Sequence, residues 1–327
     1  MIEAAVRELI EAADLNGLLR AVDGLCERRD WDSLIDLADA CEDALERGKQ
    51  LWPIAAHIDY RLALESPGEI AASVLDPDGT RFALGPLTEV AASTHTWEEL
   101  AAHIEAPQSA AYVAQERVLR SEVLTGDDRA HAEVLELPLE LLEWEPAYRL
   151  PVYAKDHVEV QEPWDAVVLE AVDSRPGERI DDPEVLHALL ELVRPWTTES
   201  NGAARAVVVE GTADQAAAAI SDAVRIAQIS GEDALQRMAW AAASGGAHGR
   251  RRGGALGRSL AWHVVATLYG LEWPPPYDEM QAATRHLRFY LWDEGEPEEG
   301  WVLRLAVSDP EDGWSAAIAA TDLVLEE

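Results

Sequence analysis

The sequence has little cysteine, little phenylalanine and almost no lysine. Two cysteines in 327 residues, Cys26 and Cys41, are too few for a disulfide framework. Both fall on candidate helices, where reduced, half-buried packing residues are expected. No apolar run reaches the roughly 18 residues of a membrane span. The opening Met1–Glu8 lacks the basic and then apolar segments of a secretion signal. A cytoplasmic protein with no membrane partner is the expectation. Lysine is confined to Lys49 and Lys155, so arginine carries nearly all the positive charge.

Acid is what the chain has in excess. Sixty-two Asp and Glu against 26 Lys and Arg give a formal net charge of −36. Such a surface repels phosphate backbones, which argues against general nucleic-acid binding. The length is enough for a large core and suggests about two domains.

The first 125 residues read as helix after helix. Trp31, Leu34, Ile35 and Ala38 open an apolar stripe that runs through Cys41, Ala44 and Leu45. A second stripe covers Leu51 to Leu64, so 30–47 and 51–65 pair as a helical hairpin. Thr96 and Glu99 form a capping box, and 108–124 is a further helix. Residues 126–200 are mixed, with prolines inside Val134–Leu139 and Leu150–Tyr153 that favour extended segments. Residues 183–193 form a short helix.

From 203 the period changes. Ala206-Val207-Val208-Val209 is short and β-branched, as a buried strand should be. An alanine-rich helix is expected from Thr212 through Ile229, then another over 232–243. Residues 255–270 are apolar on nearly all sides and therefore buried. A helix at 277–286 precedes two strands, His286–Trp292 and Trp301–Val307, joined by the acidic loop 293–299. A final helix is expected over 314–322. The fold class is α+β, mostly α: a helical half with hairpins and a smaller α/β part with a few-stranded sheet. The divisions are 1–125 helical, 126–200 connecting and 201–327 α/β.

Residues 234–271 contain no acidic residue. In their middle lies Ser244-Gly245-Gly246-Ala247-His248-Gly249-Arg250-Arg251-Arg252-Gly253-Gly254-Ala255-Leu256-Gly257-Arg258. This loop concentrates positive charge and backbone freedom, and makes His248, Arg250, Arg251, Arg252 and Arg258 the candidate anion- or partner-binding residues. Arginines at the start of a helix near Ala255 oppose its positive dipole end unless something negative answers them. Three groups could do so: the chain's own carboxylates, the 293–299 loop among them; a protein partner; or a small anionic ligand.

Other chemistry leaves weaker traces. The loop has no Gly-Lys-Ser/Thr and follows a helix, so it is no P-loop. Gly254-x-x-Gly257 is not a dinucleotide fingerprint, and no Gly-x-Ser-x-Gly elbow occurs. His95, Glu99 and His103 lie four apart, but His95 precedes the Thr96 cap, so no metal site is expected. Asp127-Asp128 and Asp181-Asp182 read as turn or cap pairs. Tryptophans 262, 273, 292, 301 and 314 read as core and edge-strand packing.

The Gly245–Gly253 segment and Ala83-Leu84-Gly85-Pro86-Leu87-Thr88-Glu89-Val90-Ala91-Ala92-Ser93 resemble an uncharacterised family of actinobacterial proteins. The closing Gly300-Trp301 to Val307 with Asp309-Pro310 fits the same resemblance. It implies a lineage and no reaction. The expected function is that of a non-enzymatic cytoplasmic interaction or scaffold protein with a protein partner and no cofactor. The alternative is an enzyme or sensor that binds an anionic small molecule at 244–258.

Overall fold

The computed structural model describes residues 3–75, 84–160, 166–295 and 299–323. The chain divides into two compact units that interleave in sequence. Residues 1–134 and 151–159 form a helical unit; 135–150 and 160–327 form a sheet unit. The stretch 126–200, read from sequence as a connecting region, is thus shared between the two.

The helical unit contains α1 (Ala4–Ala12), α2 (Leu15–Arg28), α3 (Trp31–Glu46), α4 (Trp52–Glu65), α5 (Gly68–Ser73), α6 (Leu87–Thr94), α7 (Trp97–Leu100) and α8 (Pro107–Leu119). A short hairpin, β1 (Val152–Tyr153) with β2 (Val158–Glu159), completes it. Local signals set the helix starts. Asp14 and Asp30 accept the amides of Gly17 and Ser33 as N-caps. The Thr96–Glu99 capping box forms as expected. The α3–α4 hairpin also forms: Leu34, Ala38, Ile54, Ile58 and Leu62 share one core, with Trp31 and Ile35 packed on its margin. Both cysteines are free and buried in that core. Burial pushes each thiol up to about 11, so neither is a ready nucleophile at neutral pH. Truncating Trp31 to alanine is expected to cost about 3 kcal/mol. The urea midpoint should fall at unchanged slope; a loss below about 1 kcal/mol would show that the ring does not pack.

In the sheet unit, the described residues form a seven-stranded antiparallel sheet in the order β3 (Glu170–Val172), β6 (Val224–Ile229), β7 (Arg288–Asp293), β8 (Trp301–Asp309), β9 (Trp314–Asp322), β5 (Ala203–Glu210) and β4 (Glu178–Arg179). The helices are α9 (Pro183–Glu191), α10 (Arg194–Thr198), α11 (Ala213–Ala218), α12 (Gly231–Ala243), α13 (Gly254–Leu268) and α14 (Tyr277–His286). One sheet face buries Val207, Val209, Trp292, Ala306 and Ala317 against Ala213, Ala216 and Ala217 of α11. By strand alternation, Leu305, Val307 and Ile318 bury toward the other face. The fold is α+β, with an antiparallel sheet beside a largely helical remainder.

Two elements differ from the sequence expectation. The helix expected through Ile229 ends at Ala218, and Val224–Ile229 is strand β6. Ser221 bonds locally to Ala223 and breaks the run. Beyond it, Val224 and Ile226 pack into the α11 face. The helix expected over 314–322 is strand β9, paired on both sides, with β8 and with β5. Its alanines favour helix by only a few tenths of a kcal/mol each. Two complete ladders outweigh that preference, and the small side chains let α11 lie close. The turn before β9 reinforces the hairpin: Gly313 donates to the Asp309 carbonyl, and the Asp309 carboxylate accepts the Glu311 and Asp312 amides. The Asp309-Pro310 segment thus serves a hairpin turn between β8 and β9.

Candidate functional site

The glycine-arginine loop joins α12 to α13, two helices that pack together. Gly257 permits the contact: a Cβ there would collide with the Ala239 carbonyl oxygen of α12. Between the helices the loop is pinned by its own amides. Gly246 donates to Ser244 Oγ at 2.9 Å, and Ala247 to Asp322 Oδ2 at 2.6 Å. His248 donates to Ser200 Oγ at 3.1 Å, and Arg250 to Glu199 Oε2 at 3.3 Å. Arg252 and Gly253 both donate to the Ala243 carbonyl. Gly246 needs its freedom, since its φ is +74° and a Cβ would strike Asp322. Beneath the loop, Trp196 Nε1 donates to Ser244 Oγ at 3.1 Å. The Trp196 ring meets Trp240 and Trp301, which stack with centroids 5.0 Å apart.

The five candidate side chains do not act together. Arg258 is fully buried. Its Nε and Nη2 donate to Glu145 at 2.8 and 2.5 Å, and it also donates to the Pro138 and Glu140 carbonyls at 3.0 Å. Glu145 is saturated in turn, accepting from Trp262 Nε1, the Tyr148 hydroxyl and the Leu142 amide. Burial, with the Glu145 charge beside it, holds the Tyr148 hydroxyl well above its ordinary value. Arg252 is half-buried and donates to the Glu191 carbonyl and carboxylate. Arg251 is half-buried and engaged. His248 and Arg250 are exposed, and no ion pair among the described residues takes the Arg250 guanidinium.

Glu145 answers Arg258 and Glu191 answers Arg252. In the acidic 293–299 loop, Asp293 pairs with Arg225 at 2.6 Å and Glu294 with Arg304 at 3.3 Å. Residues 296–298 lie outside the described residues. The anchoring residues Glu145, Glu191, Glu199, Ser200 and Asp322 were missed in the sequence. In a chain so rich in acid, no local signal marks a carboxylate whose partner lies 113 residues away.

The other candidates are structural. The His95 ring nitrogens lie 3.0 Å from the Ala91 carbonyl and 2.7 Å from that of Ser66, and Glu99 serves the Thr96 cap. Asp127 caps the following turn, and Asp182 caps α9. Trp262 and Trp292 are buried. Among the described residues no helix is long and apolar enough to cross a membrane.

An α+β protein with a pinned, partly cationic loop on its sheet unit is the class that this geometry defines. The chain matches a family described as "Family of unknown function (DUF6183)" over residues 16–323 and belongs to it. No curated protein and no solved structure matches it.

Proposed function

We propose that the protein is a non-enzymatic interaction protein and that the outer edge of the 244–253 loop, at His248 and Arg250, meets an acidic protein partner. The observation that carries this reading is the division of labour in the loop. Its amides, Arg252 and Arg258 are spent inside the protein, while His248 and Arg250 face solvent. A loop already fixed by its amides loses little entropy on docking. Arginine is also the residue type that most often anchors an interface. Arg250 supplies the loop edge with an exposed positive charge in a chain of net charge −36, and an acidic partner answers it. The small-anion alternative at 244–258 is weakened by the same division, since Arg258 is buried with its own carboxylate.

Charge reversal tests the reading. A photo-crosslinking residue in place of His248 should trap one discrete protein in the native host. Arg250→Glu should weaken that association by roughly 30-fold, about 2 kcal/mol, with circular dichroism unchanged. A crosslinking pattern that is indifferent to Arg250→Glu would remove the loop edge as a recognition surface.

A further inference from the structure

A larger concavity opens elsewhere on the sheet unit, and none of its lining residues belongs to the loop. Its volume is about 660 Å³. Its position follows from strand pairing. β6 and β7 run antiparallel with Ile229 opposite Phe289, so the end of β6 and the start of β7 open at one end of the sheet. There the first turn of α12, the last turn of α14 and the Glu143-Trp144 segment converge.

The charges in this cleft are of both signs and unspent. Arg285 and Arg288 line it, and so do Glu143 and Glu232. All four are exposed, and among the described residues none of them forms an ion pair or a side-chain hydrogen bond. Two guanidiniums and two carboxylates therefore share one concavity without closing on each other. His286 behaves differently: it lies 3.1 Å from Asp309, whose carboxylate also accepts two backbone amides. Asp309 is thus committed and does not neutralise the arginines. At the start of α12 the Asp233 and Ala234 amides donate to Ser230, while those of Gly231 and Glu232 have no acceptor among the described residues. Trp144 gives the cleft a half-buried flat wall, with its ring 5.2 Å from that of Trp262.

A polyanion would meet the glutamates, and a simple cation would meet the arginines. A molecule with separated charges of both signs satisfies both pairs at once. We propose that this cleft binds a small zwitterion of amino-acid to dipeptide size, its carboxylate toward Arg285 and Arg288 and its ammonium toward Glu143 and Glu232. The volume falls within the range of roughly 300–1,000 Å³ usual for small-ligand sites. The inference is independent of the loop reading.

The test uses the full chain and a panel of the proteinogenic L-amino acids and glycyl dipeptides at millimolar concentration, read by saturation-transfer NMR and Trp fluorescence. Acetate, methylammonium and inorganic phosphate serve as single-sign probes. At least one zwitterion should bind, more tightly than any single-sign probe. Arg285→Gln with Arg288→Gln, and separately Glu143→Gln with Glu232→Gln, should each weaken it about tenfold or more. All four side chains are exposed, so both variants should keep the wild-type melting temperature, and that control separates lost binding from lost fold. Phosphate or acetate binding as tightly as the best zwitterion, with the glutamate variant unharmed, would overturn the proposal in favour of a plain anion site. Silence from the whole panel would overturn it outright.

Discussion

Glu145→Ala is expected to destabilise the sheet unit by about 3–5 kcal/mol. The cost comes from what is left behind. Arg258 would stay fully buried without its carboxylate, its guanidinium left to neutral groups such as the Pro138 and Glu140 carbonyls, and the Trp262 and Tyr148 donors would lose their shared acceptor. Glu145→Gln keeps the shape but removes the charge, and should cost somewhat less. Replacing both partners, Glu145→Leu with Arg258→Met, should recover much of the loss, because an apolar pair leaves no buried charge. Urea unfolding followed by tryptophan emission measures all of these. A loss under about 1 kcal/mol for Glu145→Ala would show that water reaches the guanidinium.

The second large effect is a dependence on pH in the helical unit. Asp59 of α4 is mostly buried, and its carboxyl is pushed up to about 7, first by desolvation and then by the charges of Glu42 and Asp39 on α3. The ordinary value lies near 4. The folded state therefore holds this proton more tightly than the unfolded chain does. The resulting stability is complete below about pH 4 and is lost as pH rises through about 7. A gap of about three pH units corresponds to roughly 4 kcal/mol at most, and partial solvent contact brings the expectation to about 2–4 kcal/mol. Asp59→Asn, which mimics the protonated form, should match the wild type near pH 4 and exceed it by that amount at about pH 8. Melting temperatures of both proteins across this range decide it. Parallel curves would mean that Asp59 ionises without cost.

What could be read in advance was periodic and local. The α3–α4 hairpin announced itself through Trp31, Leu34 and Ile35 against Ile54 and Ile58, and α13 through its all-round apolar run. Strands β5, β7 and β8 were visible in β-branched and aromatic clusters. β9 was not, because its alanines carry no strand signal and its conformation is imposed by its hairpin partner β8 on one side and by the distant β5 on the other. β6 was hidden behind the alanines of α11. At the loop, the window of glycine and arginine was plain, but the fate of each arginine was not. Burial separates Arg258 from Arg250, and the buried acceptor of Arg258 comes from a remote segment. The zwitterionic cleft left no trace at all, since its charges come from three separated stretches of chain.

The interleaving of the two units constrains how the chain can be made. Residues 135–150, which carry Glu145, are synthesised before any strand of the main sheet, and Arg258 follows more than a hundred residues later. On the ribosome, this acidic segment must wait, unpartnered, while the hairpin 151–159 returns to the helical unit. Vectorial synthesis can then complete the helical unit early, but the sheet unit closes only when β9, which joins β8 to β5, has emerged. A gene cut between 134 and 135 leaves the helical piece without its hairpin 151–159, and a cut between 159 and 160 leaves the sheet piece without 135–150 and Glu145. In either case the complete half carries the segment that the other lacks, so the dissection point for this chain is topological as well as sequential.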